Sequence, residues 1–381
     1  MTKVTLIAIE TFGLEAVVKR EVQALGFEDI KVSPGKVQFS ADIEEIPKAN
    51  LWLRAADRVL LKMGEFEAVT FDELFEQTKA LPWEDWITED GQFTVIGKSV
   101  KSTLGSIRAC QSIVKKALVS RLGEKYDRVW FEETGPEYTV QISMLNDIAT
   151  LTINTSGPGL NRRGYRKQAG RAPLKETMAA GLVLLSFWNK DRLLLDPMCG
   201  SGTILIEAAM IGKNIAPGLN RKFASEDWPT IPAQAWGDAK RAAKEAILID
   251  QELNILGYDI DAHSIEDCYA NAKAAGVGDD ITFSEKDIKE LWIDQQYGVL
   301  VSNPPYGIKL GDLQELNQIY ISFHKTFKKK SGWSVYILTA DKKFPDYFKR
   351  AKPDRVRKLF NGPIEVNYYQ YYGERPPRTR G

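Results

Sequence analysis

Residues 193–209 read LLLDPMCGSGTILIEAA, and this stretch decides the fold of the C-terminal half of the chain. A run of leucines ends at an aspartate, two closely spaced glycines follow, and an apolar helical pattern continues from them. This order is typical of a strand that turns directly into a helix in an α/β sheet. We therefore expect Asp196, Gly200 and Gly202 at the carboxyl end of a strand, where such sheets bind ligands.

The sequence on both sides of this stretch extends the pattern. Strand patterns at LLLDPM, ILGYDID, ITFSEKD, YGVLVSN and WSVYILTA alternate with helical patterns near residues 202–210, 239–250, 263–275 and 313–328. Such alternation predicts an α/β domain with a doubly wound parallel sheet. The four polar strand ends would then meet at one edge of that sheet.

The N-terminal part has a different character. Strand and helix patterns are mixed up to about residue 155, and YTVQISMLNDIATLTIN predicts two strands joined by a hairpin turn at Asn146 and Asp147. The Gly-, Pro- and Arg-rich stretch SGPGLNRRGYRKQAGRAP marks a break before the α/β part. We predict domains at residues 1–60, 61–157 and 158–381, the last beginning with a basic linker over 158–175.

Composition and charge restrict the possible functions. The 381 residues include 51 basic and 51 acidic side chains, so the net charge alone indicates no nucleic-acid partner. Three cysteines and two histidines do not suggest a disulfide framework or a zinc cluster, and no metal is expected. No apolar run of about 18 residues and no signal peptide is visible. We expect a cytoplasmic protein without a membrane partner.

Positive charge is concentrated locally. The stretch NRRGYRKQAGRAPLK (161–175) carries six Lys or Arg and no acid. A solvated linker would explain this charge equally well, and so would a surface that contacts RNA phosphates. The candidate RNA-binding residues are Arg162, Arg163, Arg166, Lys167 and Arg171.

The glycine loop after Asp196 does not match a dinucleotide or a polyphosphate site. The third glycine of G-x-G-x-x-G would fall at Leu205, and no Gly-Lys-Ser/Thr phosphate loop is present. Two later strand patterns end at Asp259 and Asp287. These acids could accept hydrogen bonds from ribose hydroxyls and from an adenine amine, which predicts a nucleoside pocket. Taken singly, Asp261 and Asp287 could also be helix N-caps.

The fourth strand end reads VSNPPYG (301–307). A residue before proline is held in extended geometry, so Asn303 would present its amide oxygen with little freedom. Pro304 lacks an N–H, but its carbonyl is a second acceptor, and Tyr306 offers a ring for stacking on a base. Two fixed acceptors suit an amine nucleophile whose lone pair must be freed for attack on an activated methyl group. A plain Asn-Pro-Pro turn is the alternative.

Together, DPMCGSGT, GYDID and NPPY resemble the motifs of class I S-adenosylmethionine-dependent methyltransferases that modify amino groups. RRGYRKQAGRAPLKETMAAGLV, DIDAHSIEDCYANAKAAG and KLFNGPIEV further resemble bacterial 23S rRNA guanine-N2 methyltransferases. The resemblance implies a Rossmann-like, doubly wound, seven-stranded methyltransferase sheet preceded by small α+β ferredoxin-like and THUMP domains. It also implies RNA as partner and S-adenosylhomocysteine as product.

The same resemblance implies roles for individual residues. It assigns the target base to Asn303, Pro304, Pro305 and Tyr306, with Asn303 also beside the cofactor. Cofactor contacts are implied for Pro173, Leu174, Asp196, Pro197, Cys199, Gly200, Ser201, Gly202, Thr203, Asp259, Ile260, Asp287 and Ile288. Cys199 would pack in the loop and not act as a nucleophile. Some relatives carry a second methyltransferase domain, and since this sequence has one, a single methylation is expected.

Three other interpretations stay open at this point. The substrate could be a guanine N2 of tRNA, since THUMP-bearing enzymes of similar motif exist for both RNAs. The Asn-Pro-Pro-Tyr motif is also found in methyltransferases acting on adenine N6 and on protein glutamine. From another class, the chain could be a non-catalytic RNA-binding or assembly protein that retains a cofactor-like fold.

Overall fold

The structure is a computed structural model that describes residues 2–166, 174–306 and 312–375. The chain forms two compact units, and most contacts between residues lie within one unit or the other. The first comprises Met1–Glu10, Val18–Leu160 and Lys222–Ala242, and the second comprises Thr11–Val17, Asn161–Arg221 and Ala243–Gly381. Both are therefore assembled from segments that are discontinuous in the sequence.

The regular elements are numbered in chain order. The strands are β1 (Lys3–Glu10), β2 (Glu28–Ser33), β3 (Lys36–Asp42), β4 (Ala56–Glu67), β5 (Gln92–Val100), β6 (Glu137–Leu145), β7 (Ile148–Asn154), β8 (Leu194–Asp196), β9 (Ile255–Asp259), β10 (Thr282–Glu285), β11 (Gly298–Ser302), β12 (Trp333–Thr339), β13 (Arg355–Asn361) and β14 (Ile364–Tyr371). The helices are α1 (Glu15–Ala24), α2 (Ile46–Trp52), α3 (Phe71–Lys79), α4 (Ile107–Tyr126), α5 (Glu176–Ser186), α6 (Thr203–Gly212), α7 (Ala233–Glu245), α8 (Ala262–Ala275), α9 (Asp312–Phe327) and α10 (Phe344–Phe348).

The first unit contains one seven-stranded sheet in the order β2-β3-β1-β4-β7-β6-β5. Neighbouring strands are antiparallel except for β5 and β6, which run parallel. The predicted hairpin joins β6 to β7, and its turn residues Asn146 and Asp147 both have positive φ values of 49° and 64°. Such backbone geometry matches the twist of a hairpin and explains the Asn-Asp signal in the sequence.

The second unit contains the α/β sheet, in the order β10-β9-β8-β11-β12-β14-β13. Strands β8 to β12 run parallel to one another, and β14 pairs antiparallel with both β12 and β13. The predicted seven-stranded, doubly wound fold is confirmed. The carboxyl ends of β8, β9, β10 and β11 therefore meet at one edge, which brings the four polar strand ends of the sequence together.

Buried apolar side chains hold this sheet in place. Every residue of β11 and of β12 is buried, as expected for central parallel strands covered on both faces. Phe323 and Phe327 of α9 pack with Trp333 and Phe344 in one cluster, in which the rings of Phe327 and Trp333 lie 5.3 Å apart. Burying each such side chain contributes about 1.5–3 kcal/mol to the free energy of unfolding.

Close packing of α6 against β9 depends on a glycine in the strand. A Cβ at Gly257 would lie 2.6 Å from Leu205 Cδ1 and 2.6 Å from Phe283 Cδ1. Only glycine fits there without moving α6, the helix that follows β8 in the sequence.

Some elements differ from the sequence-based expectation. The helix expected near 239–250 lies at Ala233–Glu245, and the β13–β14 hairpin was not predicted as strands. Over residues 2–166, 174–306 and 312–375, no helix is long and apolar enough to cross a membrane. No group of three or more His, Cys, Asp or Glu that could hold a metal ion is found over the same residues.

Candidate active site

The cofactor loop, residues 196–203, connects β8 to α6. Gly200 and Gly202 have positive φ values of 53° and 77°, so the backbone reverses at the strand end as the two glycines predict. The loop is tied to β9 through its backbone, because Cys199 N–H donates to the Tyr258 carbonyl at 2.8 Å. Gly200 N–H donates to Asp259 Oδ2 at 2.9 Å.

Asp196, the one acid in the sequence of this loop, is buried, with 2% of its surface exposed. Its Oδ1 accepts hydrogen bonds from the Met198 N–H at 3.1 Å and from the Ser302 hydroxyl at 2.7 Å. Burial raises the pKa of Asp196 to about 7, although both hydrogen bonds act to lower it. Within the described ranges its Oδ2 has no hydrogen-bond partner. A cationic or hydrogen-donating ligand would relieve this unfavourable burial.

Asp259 and Asp287 lie beside a common cavity of about 60 Å³. Asp259 uses one oxygen for the Gly200 N–H and the other for the Asp261 N–H at 3.0 Å. Asp287 accepts from the Lys289 N–H at 2.9 Å and so also caps a short helix. The cavity is lined by Pro197, Met198, Asp259, Ile260, Lys286, Asp287, Ile288, Lys289 and Ile319. Five predicted cofactor residues are thus brought together.

Ile260 supplies an exposed apolar surface at this cavity. It is 65% exposed, whereas Ile288 on the same cavity is 6% exposed. An exposed isoleucine beside two carboxylates suits a flat ring that also carries hydrogen-bond donors. Asp261 has a different function, because its side chain accepts from the His263 N–H and the Ser264 hydroxyl and caps α8.

The two cysteines near the loop are structural. Cys199 Sγ lies 3.7 Å from Cys268 Sγ, and the Cys268 thiol donates to the Gly200 carbonyl at 3.0 Å. Both are free thiols and buried. The neighbouring Cys268 and burial raise the pKa of Cys199 well above its usual range, and a thiol held protonated is a poor nucleophile. Asn271 completes the support by donating to the Ser201 carbonyl at 3.3 Å.

The turn at residues 302–306, which the sequence predicts to be catalytic and which we therefore call the catalytic turn, follows β11. Ser302 is buried and connects the turn to the cofactor loop through its bond to Asp196. Asn303 is half-buried, and its Oδ1 accepts the hydroxyl of Tyr306 at 2.7 Å. A carbonyl oxygen accepts two hydrogen bonds, and the described residues donate one to Asn303 Oδ1, so one position remains for a ligand N–H. Burial raises the pKa of Tyr306, which keeps its hydroxyl a donor.

The two prolines of the turn differ in exposure. Pro304 is buried and Pro305 is exposed. No N–H or hydroxyl of the described residues donates to the carbonyl of Pro304. This oxygen is therefore available as the second predicted acceptor. The turn carries no carboxylate, imidazole or amine side chain, so its residues are suited to orienting a ligand by hydrogen bonding.

Asn361 is a site residue that the sequence-based prediction missed. Its Nδ2 donates to the Tyr306 hydroxyl oxygen at 3.1 Å, which completes a chain from Asn361 through Tyr306 to Asn303. It is the last residue of β13 and is followed by Gly362, which has φ of 60°. The Asn-Gly pair in KLFNGPIEV is itself a hairpin signal that could have located this strand end.

The basic linker does not present all its arginines to solvent. Arg163 is 2% exposed and pairs with the fully buried Glu207 at 3.4 Å, and Glu207 also accepts the Tyr165 hydroxyl at 3.1 Å. Arg166 donates to the Leu174 carbonyl and to the Thr203 hydroxyl, at 3.0 and 2.8 Å.

Arg163 is thus buried in an ion pair, which does not fit the expected contact with RNA phosphates. Arg166 keeps 14% of its side chain exposed, and its contact with RNA stays a prediction. Arg162 is exposed. Lys167, Arg171 and Pro173 lie outside the described residues. Leu174, a predicted cofactor residue, is buried, and Thr203 is held by Arg166 at the start of α6.

Known proteins resemble this chain over its whole length. Family models match a ferredoxin-like domain of the RlmL type at residues 5–60, a THUMP domain at 68–154 and an RMKL-like methyltransferase domain at 163–370. A Bacillus subtilis (strain 168) protein named "Putative RNA methyltransferase YpsC" is 49% identical over 385 residues, which span 100% of this chain and 99% of that protein. The chain belongs to the RMKL-like methyltransferase family.

Other RMKL-like relatives have more specific names. Ribosomal RNA large subunit methyltransferase K/L of Syntrophotalea carbinolica is 33% identical over 374 residues, covering 94% of this chain and 52% of that protein. Among solved structures, a "predicted N6-adenine-specific DNA methylase" of Listeria monocytogenes is 51% identical with a TM-score of 0.93, covering 98% and 97% of the two chains. SMU.472, "a putative methyltransferase complexed with SAH", is 43% identical with a TM-score of 0.93 over 99% and 100%.

The methyltransferase family identified from the motifs is therefore confirmed, with S-adenosylmethionine as cofactor. The residues of this RMKL-like methyltransferase suit that molecule, because a glycine loop and the buried Asp196 lie at one strand end. The Oδ2 of Asp196 accepts no hydrogen bond from any residue that the structure describes. Asp259, Ile260 and Asp287 line a cavity at the next ends. When bound, the cofactor supplies a sulfonium-activated methyl group. The chain supplies the cavity lined by Asp259 and Asp287 and, in the catalytic turn, the carbonyl oxygens of Asn303 and Pro304.

Proposed function

We propose that this protein transfers a methyl group from S-adenosylmethionine to the exocyclic N2 amine of a guanine in 23S rRNA. The observation that carries the proposal is the bond from the Ser302 hydroxyl to Asp196 Oδ1, at 2.7 Å. This bond holds the acceptor-bearing turn directly beside the buried acid of the cofactor loop. An amine bound at Asn303 would therefore be close to the activated methyl group, which is the main requirement of the reaction.

The turn is suited to an amine and not to a more acidic nucleophile. An exocyclic amine has two N–H donors, which match the free acceptor position of Asn303 and the carbonyl of Pro304. Hydrogen bonding of both protons favours a pyramidal nitrogen with its lone pair free for in-line attack. No strong base is required, because the sulfonium is a good leaving group and the proton can depart after methyl transfer.

The remaining predicted residues are proposed to bind the cofactor. Asp196 would face its cationic end, the loop glycines would admit it closely, and Asp259 would hold the ribose. Asp287 would accept the adenine amine, with Ile260 and Ile288 against the ring. The other proposed contacts are Pro173, Leu174, Pro197, Cys199, Ser201 and Thr203, with Asn303 between cofactor and base.

An RNA substrate is supported by the N-terminal half. The THUMP match covers residues 68–154, and the relatives include an RNA methyltransferase and a large-subunit rRNA methyltransferase by name. We retain the proposed domains at 1–60, 61–157 and 158–381, with the second binding RNA. Arg162 is the described member of the proposed RNA-contacting set in the linker that is exposed.

Nucleoside mass spectrometry of RNA from a strain lacking this protein tests the proposal. We expect loss of one N2-methylguanosine from 23S rRNA, restored by the wild-type gene and not by Asn303→Ala. Unchanged N2-methylguanosine in 23S rRNA would contradict the proposal. Digests of tRNA and DNA from the same cells separate the alternatives, since loss of N2-methylguanosine in tRNA or of N6-methyladenine would reassign the substrate.

Two further alternatives have their own outcomes in the same strain. Loss of methylglutamine from a protein, with all nucleosides unchanged, would indicate a protein substrate. Calorimetry with S-adenosylmethionine addresses the non-catalytic interpretation, because the purified chain should bind the cofactor and its failure to do so would favour that class.

A further inference from the structure

A cavity of about 230 Å³ lies within the second unit, apart from the cavity formed by Asp259 and Asp287. Its walls come from three places in the sequence, namely the residues after β1, the start of α5 and the end of β13. Its lining includes Thr11, Phe12, Lys175, Met178, Phe360 and Asn361. None of them belongs to the cofactor loop or the catalytic turn.

One side of this cavity is aromatic and apolar. Phe12 is 48% exposed, and its ring lies 6.0 Å from that of Phe360 in an edge-on arrangement at 71°. Met178 is buried behind them. An exposed phenylalanine held by a second ring offers a face on which a flat heterocycle can stack.

The other side is polar and has unused hydrogen-bonding capacity. The Asn361 Oδ1 and the Thr11 hydroxyl have no hydrogen-bond partner in the part of the chain that the structure describes. Lys175 adds an exposed cation at the rim. The cavity therefore offers an acceptor, a hydroxyl and a positive charge around an apolar floor, which is the composition of a site for a polar ring.

Asn361 connects this cavity to the catalytic turn. Its Nδ2 donates to the Tyr306 hydroxyl oxygen at 3.1 Å, and that hydroxyl donates to Asn303 Oδ1 at 2.7 Å. The Tyr306 hydroxyl thus bridges the side chain of Asn361, which lines the cavity, and the side chain of Asn303, which is proposed to bind the reacting amine. The cavity and the catalytic turn are therefore linked through the Tyr306 hydroxyl.

We propose that this cavity receives the flipped target base and selects guanine by its Watson–Crick edge. The edge of guanine presents the N2 amine, the N1–H and the O6 acceptor in a row. With N2 at Asn303, the Asn361 Oδ1 would accept the N1–H, and Lys175 would donate to O6. Adenine lacks the N1–H and carries an amine in place of O6, so it would face a cation with its own donor. This inference rests on the proposed function and adds its specificity.

Binding of single nucleotides to the full chain loaded with S-adenosylhomocysteine tests the cavity directly. The probes are GMP, IMP and AMP, and their binding is measured by saturation-transfer NMR and by competition. IMP keeps the N1–H and O6 but lacks the N2 amine. We expect GMP to bind most tightly and IMP more weakly, because IMP lacks the N2 amine proposed to bind at Asn303. AMP, which also lacks the N1–H and O6, should bind about tenfold or more weakly than GMP, since one good base-edge contact discriminates by that order.

Variants assign the contacts within the cavity. Asn361→Ala and Lys175→Ala should reduce the preference for GMP over AMP, while Phe12→Ala should weaken all three nucleotides by about tenfold through lost stacking. Lys190→Ala and Trp292→Ala are matched controls, because both side chains are exposed in the same unit and lie outside the cavity. The controls should bind all three nucleotides as the wild type does.

The outcomes separate this inference from the proposed function. Equal affinity for GMP and AMP, or a GMP preference unchanged in both Asn361→Ala and Lys175→Ala, would overturn the cavity as the guanine site even if rRNA loses its N2-methylguanosine in the deletion strain. A GMP preference that these two variants reduce would support the cavity even if the methylated RNA proves to be tRNA.

Discussion

The cofactor loop and the catalytic turn lie on neighbouring strands, yet they are held in different ways. The loop is fixed through its backbone, with Cys199 and Gly200 bonded to β9 and Ser201 bonded to Asn271 of α8. The turn is fixed by two prolines and by side chains, because Asn303 is oriented by Tyr306 and Tyr306 by Asn361. Binding of the cofactor should thus depend on backbone shape, and methyl transfer on a few side-chain atoms.

This difference predicts that the two functions can be separated by mutation. A side-chain substitution in the turn should lower the rate of methyl transfer. It should leave cofactor affinity intact, because it is not expected to shift the backbone of the cofactor loop. A change in the loop should alter cofactor affinity first. The one direct link is the Ser302–Asp196 bond, so substitutions there are expected to affect both.

The largest effect is expected at Asn303. Asn303→Ala removes the acceptor that orients the amine and should lower kcat by about a hundredfold or more, as loss of one oriented catalytic hydrogen bond does. Radiolabelled methyl transfer to rRNA from the deletion strain measures kcat, and calorimetry measures S-adenosylhomocysteine affinity. That affinity should stay within about twofold of the wild type, since among the described residues no hydrogen bond joins the Asn303 side chain to the cofactor loop.

Asn189→Ala serves as the control, because Asn189 is exposed in the same unit. It should leave both quantities unchanged. If Asn303→Ala lost cofactor affinity to the same degree as rate, the main role of Asn303 would be to bind the cofactor, and its assignment to the amine would be wrong.

The contrast also explains how far the sequence could predict the site. Asp196, Gly200, Gly202, Asp259 and Asn303 are recognisable because strand ends and prolines fix them locally. Asn361 is not, because its function arises only when β13 pairs with β14 and carries it to Tyr306. Likewise, Arg163 appears in the sequence as free positive charge, and its burial on Glu207 depends on a contact across 44 residues. Non-local packing was the missing information in both cases.

The next effect in size is expected at Gly202. Its φ of 77° is unfavourable for other residues, and a Cβ would lie 3.1 Å from Cys268 Sγ and 3.3 Å from Phe283 Cζ. Gly202→Ala should distort the loop, since the left-handed conformation alone costs about 1–2 kcal/mol. We expect about tenfold weaker S-adenosylhomocysteine binding by calorimetry, with kcat at saturating cofactor reduced much less.

Gly276→Ala separates backbone strain from loop geometry. Gly276 ends α8 with the same φ of 77°, but a Cβ there would have nothing within 4 Å. It should show a similar loss of stability in thermal melts and normal cofactor affinity. Equal loss of affinity in both variants would mean that strain in general weakens binding and that the loop has no special dependence on its backbone shape.

The smallest effect concerns the acid that links loop and turn. The folded protein holds the Asp196 proton up to a pKa of about 7, whereas an unfolded aspartate has a pKa of about 3.9. Between these values the folded state binds the extra proton, so raising the pH through this window lowers the free energy of unfolding, and the loss is complete above the folded pKa. Asp196→Asn should remove this dependence, because an amide oxygen can accept both bonds that Oδ1 now accepts.

Between pH 6 and pH 8, without cofactor, the wild type should lose about 1 kcal/mol that Asp196→Asn retains, a difference of about 2–4 °C in Tm. The same variant should bind S-adenosylhomocysteine more weakly, because it lacks the charge proposed to face the cationic end of the cofactor. Stability gained and affinity lost together would show that the buried charge is kept for the ligand. An identical pH dependence of Tm in the two proteins would instead mean that Asp196 is already ionised at pH 6. Ionisation of Asp196 would then not lower the free energy of unfolding between pH 6 and pH 8.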